Sequence, residues 1–220
     1  MTVTARELAL DGTREAAALT AFLGRLIHYD RAAAVRLQAG GGALAVFGRP
    51  PSFEVLAVRT ARLTEPVDLD VTVSAGELLE SIDESAGTLT VPAAVTGPPW
   101  AGVLPPRGGW REVPGLPDAL ALRAVVSSAV AEFRRRDEEL APEARTRSAR
   151  DVIGRDIWSR VLGDTGLPLR VVHAAQSLGF LHPGAPVALL EAGSWLRLRT
   201  PYGSVSVRRA GAGLLSVTPA

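Results

Sequence analysis

The stretches "LQAGGGALAVFGRPPSFEV" (37–55) and "LEAGSWLRLRTPYGSVSV" (190–207) lie on one another with a single gap. In each, an apolar stretch ends at a glycine turn, a second apolar stretch follows, and a proline-containing turn leads into a third. A stretch of helical periodicity precedes both. The unit this predicts is a helix packed on a three-stranded meander, repeated after about 150 residues. Much of the match sits in the turns, and small α+β units resemble one another through patterning alone.

Outward from the first copy, residues 13–28 place Leu19, Phe22, Leu23, Leu26 and Ile27 on one helical face, with Thr13 or Asp11 as the cap. Strands are predicted at 32–38, 43–48 and 53–60. The second has two apolar faces, Leu44 and Val46 on one and Ala43, Ala45 and Phe47 on the other, so it needs cover on both sides. "VDLDVTV" (67–73) alternates as a half-buried strand, with Asp68 and Asp70 on its solvated face. "SAGE" (74–77) has capping-box spacing and opens a short helix, and Thr88–Val91 reads as one more strand.

Before the second copy, helices are predicted at about 118–140, 147–162 and 168–179. The first ends in "RRRDEE" (134–139), which offers the pairs Arg134–Glu138 and Arg135–Glu139. Strands follow at 185–191, 194–200 and 203–209, with a short one near 213–218. The fold class is therefore α+β: two small lobes, each a mainly antiparallel sheet with packed helices. The lobes are read as residues 1–92 and 118–220.

Residues 93–117 join them. This segment has no periodicity, yet "TGPPWAGVLPPRGGW" (96–110) carries Trp100 and Trp110 among four prolines and four glycines. A flexible linker lacks such aromatics. The composition predicts an ordered strap whose indoles pack into the halves it clasps. Trp and Arg are enriched at interface hot spots, so Trp100, Arg107 and Trp110 are also candidate binding residues.

Composition narrows the function. Apolar residues make up 47 % and charged residues 21 %, the balance of a globular chain. There is no Cys, which excludes disulfides, thiolate nucleophiles and zinc–thiolate sites. There is no Lys, which excludes Schiff-base chemistry and a phosphate-loop lysine. All 24 basic residues are Arg and Asn is absent, a bias that points to a genome rich in G and C. Residues 1–117 carry a net charge of −3 and residues 118–220 a net +4, too small a contrast to name a partner. No apolar run is long enough to span a membrane and the first residues do not read as a signal peptide, so the expected compartment is the cytoplasm.

No metalloprotease, nucleophile-elbow, dinucleotide or phosphate-loop motif occurs, so no catalytic residue, metal ligand or cofactor is assigned. His28 reads as a helix C-terminal residue, His173 falls inside a helix and His182 in a loop. A hydrolytic site assembled from distant residues is the third functional reading.

The last hairpin carries the strongest binding signal. Alternation puts Trp195, Arg197 and Arg199 on one face of 194–199, and Ser204, Ser206 and Arg208 on the matching face of 204–209. Forked guanidinium groups beside an aromatic suit carboxylates, phosphates or bases. Helices 147–162 and 168–179 followed by a hairpin also have winged-helix order, but Arg170, His173, Gln176 and Ser177 are a thin set for a reading helix. The leading expectation is a non-catalytic binding or regulatory protein acting through a protein partner. The alternative is nucleic-acid binding through the Arg/Trp face. Spare apolar surface on 43–48 predicts a homodimer.

Overall fold

The computed structural model describes residues 6–51, 53–98, 100 and 104–209. The predicted strand near 213–218 lies outside them. The elements run β1 (Glu7–Ala9), α1 (Thr13–Tyr29), β2 (Ala34–Gly40), β3 (Ala43–Gly48), β4 (Leu56–Arg62), β5 (Leu69–Ser74), α2 (Ala75–Glu80), β6 (Ile82–Asp83) and β7 (Thr88–Thr90). After the strap come β8 (Arg111–Val113), α3 (Ala119–Glu138), α4 (Arg147–Trp158), α5 (Leu169–Ser177), β9 (Ala188–Ala192), β10 (Trp195–Thr200) and β11 (Gly203–Arg208).

The fold is α+β, and every paired strand is antiparallel. Eight strands form one sheet in the order β5-β2-β3-β4-β11-β10-β9-β8, and β1-β7-β6 form a small second sheet. The order reads as two four-stranded halves, mirrored about the β4–β11 pair. The middle residues of that pair, Ala57 and Val205, mark a pseudo-twofold axis. Under it β2, β3, β4 and β5 match β9, β10, β11 and β8. α1 packs on α2 and β4, while α5 packs on α3 and β11. This is the helix-plus-meander repeat.

The chain orders the two copies differently. In the first half the edge strand and its helix (β5, α2) follow the meander, and in the second half (β8, α3) they precede it. The sequence match holds through β3 and β10, then slips. Residues 49–55 link β3 to β4, whereas 201 and 202 alone turn β10 into β11.

The expectation that the strap clasps two separate sheets is corrected. The backbone ladder of β4 on β11 joins the halves directly, in pairs Val58–Ser204, Ala57–Val205 and Leu56–Ser206. Side chains reinforce the seam: Phe22 of α1 stacks on Phe180 at 5.7 Å between centroids, and buried Arg59 donates to the Pro201 carbonyl at 3.4 Å. Pairing between residues so far apart in the chain leaves no local trace in sequence.

All helices cover one face. Leu19, Phe22, Leu23 and Leu26 of α1 share a core with Val35, Leu37, Leu44 and Val46, and Val171, Val172 and Ala175 of α5 share it with Leu196, Leu198, Val205 and Val207. Three helices begin on the side-chain caps Ser74, Asp118 and Thr146, each accepting from the N–H three residues on. α1 instead starts at Gly12, with φ of +95° and no side-chain cap, so neither Asp11 nor Thr13 serves there. Arg135 pairs with Glu139 as expected. Glu132, Arg136, Asp156 and Arg160 lace α3 to α4, and Arg134 has no ion pair among the described residues.

The strap crosses the opposite, outer face of the large sheet. It leaves along the β5 edge, where Val95 N–H donates to the Thr72 carbonyl at 2.9 Å, and ends by forming β8 at the far edge. Midway, Trp100 is 7 % exposed and packs on Leu56 and Val58, with Ala45, Phe47 and Leu104 around it. The second apolar face of β3 is therefore covered by the chain itself, which removes the physical argument made for a second copy there.

Candidate functional site

The outer face differs between the halves. In the first half β3 and β4 present Ala45, Phe47, Leu56 and Val58 there; Trp100 buries Leu56 and Val58, and Ala45 and Phe47 are partly buried. In the second, the matching strands carry Trp195, Arg197 and Arg199 on β10, and Ser204, Ser206 and Arg208 on β11. Cross-strand pairing sets them in three rows: Trp195 opposite Arg208, Arg197 opposite Ser206, and Arg199 opposite Ser204. Alternation forces this arrangement, because Leu196, Leu198, Val205 and Val207 must all enter the core.

Arg197 is the centre of the site. Its guanidinium lies 4.0 Å from the centroid of the Trp110 ring, delivered by the strap, and its Nε donates to Ser206 Oγ at 3.3 Å. Trp110 is itself fixed, with Nε1–H donating to the Pro106 carbonyl at 3.0 Å. The Arg208 guanidinium sits 5.9 Å from the Trp195 ring, and its Nε donates to Ser194 Oγ at 3.4 Å. Arg199 is exposed. All 23 carboxylate residues fall among the described residues, and none forms an ion pair with Arg197, Arg199 or Arg208. Burial, and then repulsion from Arg199, lower the pKa of the Arg197 guanidinium. Three cations on one face without a carboxylate partner among the described residues, one of them stacked on an indole, suit an anionic group.

The remaining predicted residues fall elsewhere. Trp100 belongs to the covered half, and its buried Nε1–H has no partner among the described residues. Arg107 lies on the β5–β2 side, beside an open depression of about 390 Å³ lined also by Gln38, Asp68 and Asp70. The Asp70 carboxyl is held below its usual range by Arg36, which bonds it at 2.7 and 2.8 Å, with Gln38 and Arg107 adding to the effect. Asp70 thus sits on a solvated strand face, as read, while Asp68 is exposed just before the strand begins. No group of three His, Asp or Glu side chains converges on a metal-sized site among the described residues.

Each histidine lies against an aromatic ring. His173 stacks on Trp158 at 4.1 Å and meets the edge of Phe53 at 5.1 Å. His182 lies on Tyr202 at 4.0 Å, and His28 meets Tyr29 edge-on at 5.6 Å. The winged-helix order does not produce that motif. Both strands of the hairpin are inner strands of the sheet, paired with β9 and β4, and His173 packs on rings instead of facing outward. Sequence reasoning did not single out Ser194 or the Trp110–Arg197 stack. The first needs the hairpin's turn geometry and the second needs the strap's path.

Among the described residues no helix is long and apolar enough to cross a membrane. No curated protein matches the chain. Among solved structures, it overlaps a DNA polymerase sliding clamp from Pseudomonas aeruginosa at 14 % identity and TM-score 0.49, over 97 % of this chain and 68 % of that one. The same clamp with a ligand overlaps at 14 % and 0.48, over 93 % and 66 %, so this chain spans about two-thirds of the clamp's length. Neither overlap carries a residue or a ligand across. Residues 3–102 match a domain of unknown function (DUF8010) and residues 105–212 match another (DUF8185), the two matches lying in tandem.

Proposed function

We propose that this chain is a non-catalytic binding protein that acts through protein contacts on the outer face of β9, β10 and β11. The observation that carries the reading is the Arg197 guanidinium stacked on Trp110, with Arg208 near the Trp195 ring and no carboxylate paired to either cation among the described residues. Trp and Arg on a preformed flat surface are the residue types that anchor protein interfaces. Trp100 of the strap covers Leu56 and Val58 in the first half, whereas Arg199 and Arg208 stay exposed here.

Nucleic-acid binding is the second reading, supported by the same three cations. It is the weaker one, because the Trp110 ring already carries the Arg197 guanidinium, where a base would stack.

A photo-crosslinking side chain at Ser204, activated in cells, separates the two. A protease-sensitive, nuclease-resistant adduct that disappears on Arg199→Glu with Arg208→Glu is the expected result. A nuclease-sensitive adduct supports the second reading instead, and the absence of any adduct overturns both.

A further inference from the structure

We propose that the occupant of this face is an extended polypeptide segment with Asp or Glu at alternate positions, laid along β10 over Arg208, Arg197 and Arg199. This rests on the protein-docking reading above and goes further by naming the ligand's chemistry and period. The outer residues of β10 recur every second residue, about 6.7 Å apart at the usual strand rise. Each row presents one guanidinium: Arg208 across from Trp195, then Arg197 beside Ser206, then Arg199 beside Ser204. An extended ligand turns every second side chain toward the surface at the same interval, so alternate carboxylates meet successive rows without a change of register. Carboxylates also match the guanidinium fork, forming paired N–H···O bonds that indole stacking holds ready.

Flanking charge narrows the path. Glu112 of β8 sits opposite Leu190, which in turn sits opposite Arg197, so it shares the outer face two strands away. A carboxylate there repels an acidic ligand from β9 and keeps it over β10 and β11. On the other side Trp100 of the strap covers Leu56 and Val58 of β4. On the hairpin itself Arg199 and Arg208 are exposed, Arg197 is half-buried against Trp110, and Ser206 is fully buried.

The test uses the full chain and two short synthetic peptides of identical composition. One alternates Glu with Thr and the other places all the Glu residues together. Fluorescence anisotropy at low salt is expected to give the alternating peptide about tenfold tighter binding, with a further loss of about tenfold on Arg199→Gln. Arg199 is exposed and makes no internal hydrogen bond among the described residues, so that variant keeps its fold, which an unchanged circular-dichroism melt checks. If both peptides bind equally and both lose affinity on Arg199→Gln, the docking face stands and the alternating period is overturned. If neither binds, or Arg199→Gln changes nothing, the acidic ligand is overturned. Tighter binding of an oligothymidine of matched charge overturns the proposal in favour of nucleic acid.

Discussion

The Arg197 guanidinium rests on the Trp110 ring, 4.0 Å from its centroid, joining the last hairpin to the strap that crosses the outer face. The strap does two things to one sheet. In the first half Trp100 covers Leu56 and Val58, and in the second Trp110 lies against half-buried Arg197.

Trp110→Ala removes that contact. A partly desolvated cation–π contact contributes about 1–2 kcal/mol, and urea unfolding is expected to show a loss of that size. The same variant is expected to weaken binding of acidic peptide, because Arg197 loses the surface that orders it.

Trp100→Ala tests the covered half. Its indole is 7 % exposed against Leu56 and Val58, so truncation leaves a cavity and costs about 3–5 kcal/mol. Leu120→Ala, at a residue 62 % exposed, is the control and is expected to stay within about 0.5 kcal/mol. Equal effects from the two substitutions contradict the placement of the strap.

Gly203 holds the β10–β11 turn at φ +152°, and a Cβ there meets the Phe180 ring at 2.5 Å. Phe180 stacks on Phe22 of the other half, so the ring cannot retreat freely. Gly203→Ala is expected to cost about 1–3 kcal/mol in urea unfolding. Gly193→Ala has open space for its Cβ and isolates the backbone strain of a positive φ from the clash.

Burial lowers the pKa of His173, stacked on Trp158 and edge-on to Phe53. The unfolded chain then binds a proton first as pH falls. Stability is therefore full above the ordinary histidine value of about 6.5, declines through it, and levels off below the folded value. NMR titration of the ring protons is expected to place His173 below that ordinary value. His173→Phe is expected to flatten the decline in stability between neutral and mildly acidic pH.

Local patterning made most elements readable. Both apolar faces of β3 were visible in 43–48, and the α5 periodicity in 168–179 nearly matched its span of Leu169–Ser177. The alternation of β10 and β11 alone put Trp195, Arg197, Arg199 and Arg208 together. What escaped was long-range. The β4–β11 ladder fuses the halves through residues nearly 150 positions apart, and no local signal announces it. β8 is three residues inside a Pro/Gly-rich segment, too short to show a period. Trp100 and Trp110 looked alike in sequence. They separate only because one meets apolar Leu56 and Val58 and the other meets Arg197.

The docking face on the last hairpin is tested most directly by titrating isotope-labelled protein with the alternating Glu–Thr peptide and following amide and indole shifts. The expected changes concentrate on residues 195–199 and 204–208 and on the Trp110 and Trp195 indole N–H signals. Changes confined to the helical face, around α1 and α5, contradict the account.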